Sequence, residues 1–133
     1  MKCDLTFKEK IKAVPGGDQL MNCFLCGTCS AGCPVSEIDP TYSTRNIMRQ
    51  VLLGDKEGLT KKGTIWKCIQ CQACVARCPQ DARPADVIAA VREYAVAEGG
   101  VPKAVLDQIL ALDDEMKQLQ QQKVSEVLQK AGF

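Results

Sequence analysis

The chain has 133 residues, 17 basic against 16 acidic side chains, a formal charge of +1 and no histidine. That balance argues against a nucleic-acid-binding arm or a polybasic membrane anchor, and without imidazole the commonest acid–base group of catalysis is missing. Hydrophobic residues make up 46% but aromatic ones only 5%. A modest domain with so few rings needs another source of volume and cross-linking, and nine cysteines are available for it.

The opening "MKCDLTFKEKIK" scatters charge through its length, which is unlike a secretory signal, and no later apolar run reaches membrane-spanning length. These features predict a cytoplasmic protein with no membrane contact, in a compartment where thiols stay reduced and dense cysteine points to metal rather than disulfides. Phe7, Ile11 and Val14 suggest a short amphipathic element closed by "PGG", so residues 1–19 are taken as an N-terminal arm. Residues 20–100 hold two cysteine-rich stretches, "CFLCGTCSAGCP" at 23–34 and "CIQCQACVARCP" at 68–79. Each precedes a predicted helix.

After the first, Ile47, Met48, Val51 and Leu52 share a helical face, with Thr41 or Ser43 as the start signal and Gly54 as the stop. After the second, Pro84 suits a first turn, Val87, Ile88, Val91 and Tyr94 or Ala95 share a face, and Gly99 and Gly100 end it. Residues 101–133 form a C-terminal extension. There Val105, Ile109, Leu112, Met116 and Leu119 recur at four-three spacing over about two heptads, a seam that either folds back on the domain or docks on a partner. No stretch carries an alternating strand pattern with a hairpin turn, so the expected fold class is all-α.

The two cysteine stretches match at a constant offset of 45: Cys23 with Cys68, Cys26 with Cys71, Cys29 with Cys74, Cys33 with Cys78, Pro34 with Pro79. Three thiols separated by two residues converge only if the chain wraps around an object. This spacing with a trailing Cys-Pro is that of the bacterial ferredoxin run, which holds a [4Fe–4S] cube. In two-cluster proteins of that kind the fourth cysteine ligates the cluster of the other motif. Cys23, Cys26, Cys29 and Cys78 are thereby assigned to one cluster, and Cys68, Cys71, Cys74 and Cys33 to the other.

Gly27, Ala31, Gly32, Ala73 and Ala76 are small enough to let backbone amides approach sulfur. Phe24, Leu25, Val35, Ile65, Trp66, Ile69 and Val75 are candidates for an apolar shell that limits water. Zinc sites pair two Cys-x-x-Cys arms or mix in histidine, and a disulfide framework needs an oxidising compartment, so both alternatives fit less well. The ninth cysteine, Cys3, has no counterpart and is assigned no role.

Eight thiolates complete two cubes and leave no open iron position for a substrate. The chain also lacks a dinucleotide or phosphate loop, so it is expected to pass electrons and not to catalyse by itself. If each oxidised cube adds about two negative charges, the formal +1 becomes about −3. So weak a field suits a subunit held by apolar contacts better than a freely diffusing carrier. Near the motifs, Arg45 and Arg49 form a pair on one helix face, Trp66 is expected to pack in the core, and Lys67, Arg77 and Arg83 are close enough in sequence to tune a cluster.

The paired motifs, the intervening "STRNIMRQVLLG" and the "IWKC" leading into the second motif resemble the C subunit of heterodisulfide reductase and its relatives over roughly residues 20–97. The resemblance implies an alpha-helical ferredoxin domain with two [4Fe–4S] clusters ligated by the eight cysteines named above. It further implies a soluble complex in which a flavin-containing A-type subunit feeds the clusters and a catalytic B-type subunit reduces a disulfide. An autonomous ferredoxin carrier, and the same module in a sulfur-oxidising or quinone-linked oxidoreductase, are the other readings.

Overall fold

The computed structural model describes residues 3–60 and 63–132, in two compact units divided between Val101 and Pro102. Among the described residues every regular element is helical. The all-α expectation therefore holds, and within the first unit the longer helices bury their apolar residues against one another.

Helix α1 (Phe7–Lys12) turns Phe7 and Ile11 fully inward. The sequence sets residues 1–19 apart as an arm, whereas in the structure α1 packs against two later helices, α4 (Thr44–Leu53) and α7 (Pro84–Ala97). A run with only three apolar positions hides this role, because burial here depends on partners far along the chain. The Phe7 ring meets Tyr94 of α7 edge to face, 5.4 Å between centroids, the geometry that aromatic quadrupoles prefer.

Helix α4 begins where expected. Ser43 is its N-cap, the hydroxyl accepting a hydrogen bond from the Asn46 amide at 3.3 Å, and Gly54 ends it in the left-handed region. Thr41, the other candidate cap, instead donates its hydroxyl to Asp39. Ile47, Met48 and Val51 are fully buried and Leu52 is half-buried on the same face. Helix α7 starts on Pro84 and buries Val87, Ile88, Val91, Tyr94 and Ala95 against α1 and α4, with Gly99 in the left-handed region just beyond its end.

Four short helices complete the first unit: α2 (Thr28–Ala31), α3 (Pro34–Ile38), α5 (Lys56–Thr60) and α6 (Ala73–Ala76). Tight 3-10 turns at Asp18–Asn22 and Thr64–Lys67 bring Leu20 and Ile65 into the same core. The duplication read from the cysteines recurs in the packing, for α2 rests on α4, α6 rests on α7, and α2 touches α6. Helix α8 (Lys103–Ala131) makes up the second unit, and the apolar positions Leu112, Met116 and Leu119 along it are exposed.

One glycine ties the N-terminal segment to this core. At Gly54 φ is +76°, and a Cβ added there would lie 2.2 Å from the Asp4 carbonyl oxygen, whose residue also donates its amide to the Gly54 carbonyl at 2.8 Å. Gly54→Ala combines left-handed strain with a backbone clash, so it is expected to lower stability by about 2–4 kcal/mol, read as a fall in the thermal midpoint. An unchanged midpoint would mean that the Asp4 contact does not constrain the fold.

Candidate iron-sulfur sites

The eight motif cysteines gather in two cavities, and each cavity draws its thiols from both motifs. Cys23, Cys26, Cys29 and Cys78 line the first, about 340 Å³ of space including its mouth. Cys33, Cys68, Cys71 and Cys74 line the second, about 290 Å³. Each cavity is thus lined by three thiols of one motif and one of the other. Cys3 is exposed and lies in neither cavity.

Local backbone geometry makes the grouping possible. The residue two after the first cysteine of each motif is left-handed, Leu25 at φ 61° and Gln70 at φ 52°, and so is the residue two further on, Gly27 at 93° and Gln72 at 63°. Only one of these four is glycine. Three non-glycine residues therefore hold a conformation that costs roughly 1–2 kcal/mol each, which marks the loops as shaped for a purpose other than stability. Cys29 and Cys74 stand on α2 and α6, the two short helices in contact, so the cavities are neighbours.

Sulfur in these cavities is met by hydrogen-bond donors. The Ala82 amide donates to Cys78 Sγ at 3.2 Å, Gln70 Nε2 donates to Cys68 Sγ at 3.4 Å, and the Thr28 hydroxyl lies 3.3 Å from Cys26 Sγ. Backbone amides also favour the thiolates of Cys23 (from Leu25), Cys29 (from Ser30) and Cys74 (from Ala85). Sequence reasoning expected such amides beside small residues; the donors follow loop geometry and come mostly from other positions.

Burial pushes the Cys23 and Cys29 thiols above their ordinary range and Cys74 up to about 11, whereas the Thr28 hydroxyl and amide draw exposed Cys26 down. For Cys33, burial works upward, but the Ser36 amide and the nearby Thr44 hydroxyl carry it below the usual value. Binding a cation to these sulfurs displaces protons, so loading weakens as pH falls.

The fit to an iron–sulfur group rests on two features besides the thiol count. The donors around sulfur suit anionic ligands. In addition, the Tyr42 hydroxyl is buried on the wall of the second cavity with Cys33, Cys68 and Thr44 around it; it interacts with Cys68 and Thr44 but meets full hydrogen-bond geometry with neither. An unsatisfied buried hydroxyl costs about 1–3 kcal/mol, and an acceptor in that cavity removes the cost.

The expected apolar shell is only partly realised. Ile65 and Val35 are buried, while Leu25, Trp66 and Val75 are half-buried. Phe24 and Ile69 are corrections, exposed at 60% and 51% on the rims of the first and second cavities. They follow the first cysteine of each motif, where the chain must expose one side chain to turn the next cysteine inward.

Of the basic residues, Arg45 lines the first cavity and donates to the Leu25 carbonyl at 2.7 Å, and Arg77 joins the motifs by donating to the Gly32 carbonyl at 3.1 Å. Arg49 is exposed, while Lys67 pairs with Asp39 and Arg83 with Asp86.

Two residues escaped the sequence reading. Tyr42 is one of only two tyrosines in the chain, and standing between the motifs was its only signal. Arg92 is 2% exposed, donates to the carbonyls of Ile65 at 3.0 Å and Cys68 at 2.6 Å, and stacks over the Trp66 ring at 5.6 Å. An arginine inside the apolar run "VIAAVREYAV" was the trace available.

A helical domain with two four-thiol cavities built from a duplicated motif defines a two-centre ferredoxin-like class. In agreement, a family profile described as a 4Fe-4S dicluster domain matches residues 15–83, and the chain belongs to that family. The C subunit of the H(2):CoB-CoM heterodisulfide,ferredoxin reductase of Methanothermobacter marburgensis is 41% identical over 96 residues, 72% of this chain and 51% of the relative.

The C2 subunit of the H(2)/formate:CoB-CoM heterodisulfide,ferredoxin reductase of Methanococcus maripaludis is 38% identical over 93 residues, 68% of this chain and 50% of the relative. The iron-sulfur C subunit of the CoB--CoM heterodisulfide reductase of Methanopyrus kandleri is 38% identical over 82 residues, 62% of this chain and 42% of the relative. The chain spans about half the length of the curated relatives it matches, or somewhat less. No helix among the described residues is long and apolar enough to cross a membrane.

In metal-free protein, Cys26 is expected to be alkylated by iodoacetamide at least several-fold faster than Cys74 at pH 8, since a lower pKa leaves more thiolate and Cys74 is also less exposed. Thr28→Val is expected to slow Cys26 alone. Mass spectrometry of the labelled peptides reads both, and equal rates at the two cysteines would contradict the described environments.

Proposed function

We propose that the chain is an electron-transfer subunit of a heterodisulfide-reductase-type complex, holding two [4Fe–4S] clusters between a flavin-containing subunit and a catalytic subunit that reduces a disulfide. The observation that carries this reading is the pair of neighbouring four-thiol cavities, each closed by a cysteine from the other motif. Cys23, Cys26, Cys29 and Cys78 would hold one cluster and Cys68, Cys71, Cys74 and Cys33 the other. When bound, a cubane with four thiolate ligands supplies reversible one-electron chemistry and no open coordination position.

The chain's own residues then have three tasks. The thiolates with their amide and hydroxyl donors stabilise negative charge on sulfur. The α2–α6 contact keeps the two sites adjacent, which suits a relay with one end toward a donor and the other toward an acceptor. Exposed Phe24 and Ile69 give each rim an apolar contact for a docked subunit, one at each site. No catalytic residue is assigned to this chain. The proposed setting is cytoplasmic, in contact with neither nucleic acid nor membrane.

Iron and acid-labile sulfide analysis of anaerobically purified protein tests the reading. About eight of each per chain are expected, and Cys→Ser at any of the eight positions is expected to lower the content toward about four. Zinc without sulfide would overturn it. Phe24→Asp is expected to leave the iron content unchanged while slowing electron exchange with one partner subunit at least several-fold, measured by stopped-flow absorbance. An unchanged rate with both partners would remove Phe24 from the docking surface.

A further inference from the structure

The two cavities share their thiol pattern but differ in what else surrounds sulfur. In the first, the close hydroxyls are those of exposed Thr28, within hydrogen-bonding distance of Cys26, and of half-buried Ser30 beside Cys29, which already accepts from the Arg45 amide at 2.8 Å; the close cation is exposed Arg45. Water screens Thr28 and Arg45, and other partners already engage Ser30. In the second, besides the Ser36 and Thr44 hydroxyls at Cys33, the Tyr42 hydroxyl, 2% exposed, interacts with Cys68 and Thr44 but meets full hydrogen-bond geometry with neither. Arg92, equally buried, sits behind this site and donates to the Cys68 carbonyl.

We propose that Tyr42 donates its hydroxyl proton in a hydrogen bond to a sulfur of the second site, deprotonated Cys68 or Cys33, and thereby sets that site at a higher reduction potential than the first. The proposal rests on the cluster-binding reading above. A donor to sulfur is held more strongly as negative charge on sulfur grows, so it favours the reduced state, and it does so most where water is excluded. Arg92 supports this arrangement by donating to the Cys68 carbonyl at 2.6 Å. It thereby fixes the Cys68 backbone, which keeps the sulfur opposite the phenol. The resulting bias runs from the Cys23 site toward the Cys68 site, giving the relay a direction.

The test is a redox titration followed by electron paramagnetic resonance on the full cluster-loaded chain, comparing wild type with Tyr42→Phe, which removes only the hydroxyl. Cys26→Ser and Cys71→Ser assign the two signals to the first and second sites. In wild type the second-site signal is expected to be reduced first. In Tyr42→Phe its reduction equilibrium is expected to fall about tenfold, roughly 59 mV for a one-electron couple, with the first-site signal unmoved. A proton that exchanges in D2O and couples to the second-site signal is expected in wild type and absent from the variant.

Should Tyr42→Phe fail to load, the Tyr94→Phe chain carrying 3-fluorotyrosine keeps a hydroxyl at 42 and makes it a stronger donor. Its second-site potential is expected to rise, and no rise would overturn the proposal. Two clusters whose potentials do not respond to Tyr42→Phe, or a response at the first site alone, would also overturn it. A wild-type chain without cubane signals would overturn the cluster reading, and this proposal with it.

Discussion

The exchange of one thiol between two halves is the constraint on which the rest of the fold depends. Cys78 lies with Cys23, Cys26 and Cys29, and Cys33 lies with Cys68, Cys71 and Cys74, although each sits only four residues from the last cysteine of its own run. For that to happen the chain must turn sharply after Cys29 and Cys74, and the turns fall at α2 and α6. Placing α2 on α4 and α6 on α7 then determines where the two longer helices meet. Neither half can form its site alone, so the sites and the helical core are expected to fold as one cooperative unit.

This arrangement explains a core that is small and poor in rings. Phe7, Ile11, Leu20, Ile47, Met48, Val51, Ile88 and Val91 are fully buried, but they fill the space between α1, α4 and α7 and leave the motif loops on one side. Those loops are held by left-handed turns at Leu25, Gln70 and Gln72 and by donors to sulfur rather than by apolar packing. Such loops are costly without ligands and compact with them. The energetic burden of the strained turns is in keeping with a structure that borrows its stability from what the thiols bind.

Much of this was legible in the residues themselves. The offset between the motifs exposed the duplication, and Ser43, Gly54, Pro84 and Gly99 marked helix ends because caps act through local hydrogen bonds and allowed φ values. The apolar faces of α4 and α7 followed from periodicity. What stayed hidden depends on partners distant in sequence. Nothing beside Arg92 in the sequence marks its partners, the carbonyls of Ile65 and Cys68, as close by. Phe24 and Ile69 read as shell residues until the loop turns them outward, and Phe7 and Ile11 read as part of an arm until α7 arrives to cover them.

The central claim is the cross-over, and substitution at the lone fourth cysteines addresses it most directly. In cluster-loaded protein, Cys33→Ser should alter the paramagnetic signal that Cys68→Ser, Cys71→Ser and Cys74→Ser alter, and leave untouched the signal belonging to Cys23, Cys26 and Cys29. If Cys33→Ser instead disturbs the signal of its own motif, each run closes its own site and the account of how the halves are joined is wrong.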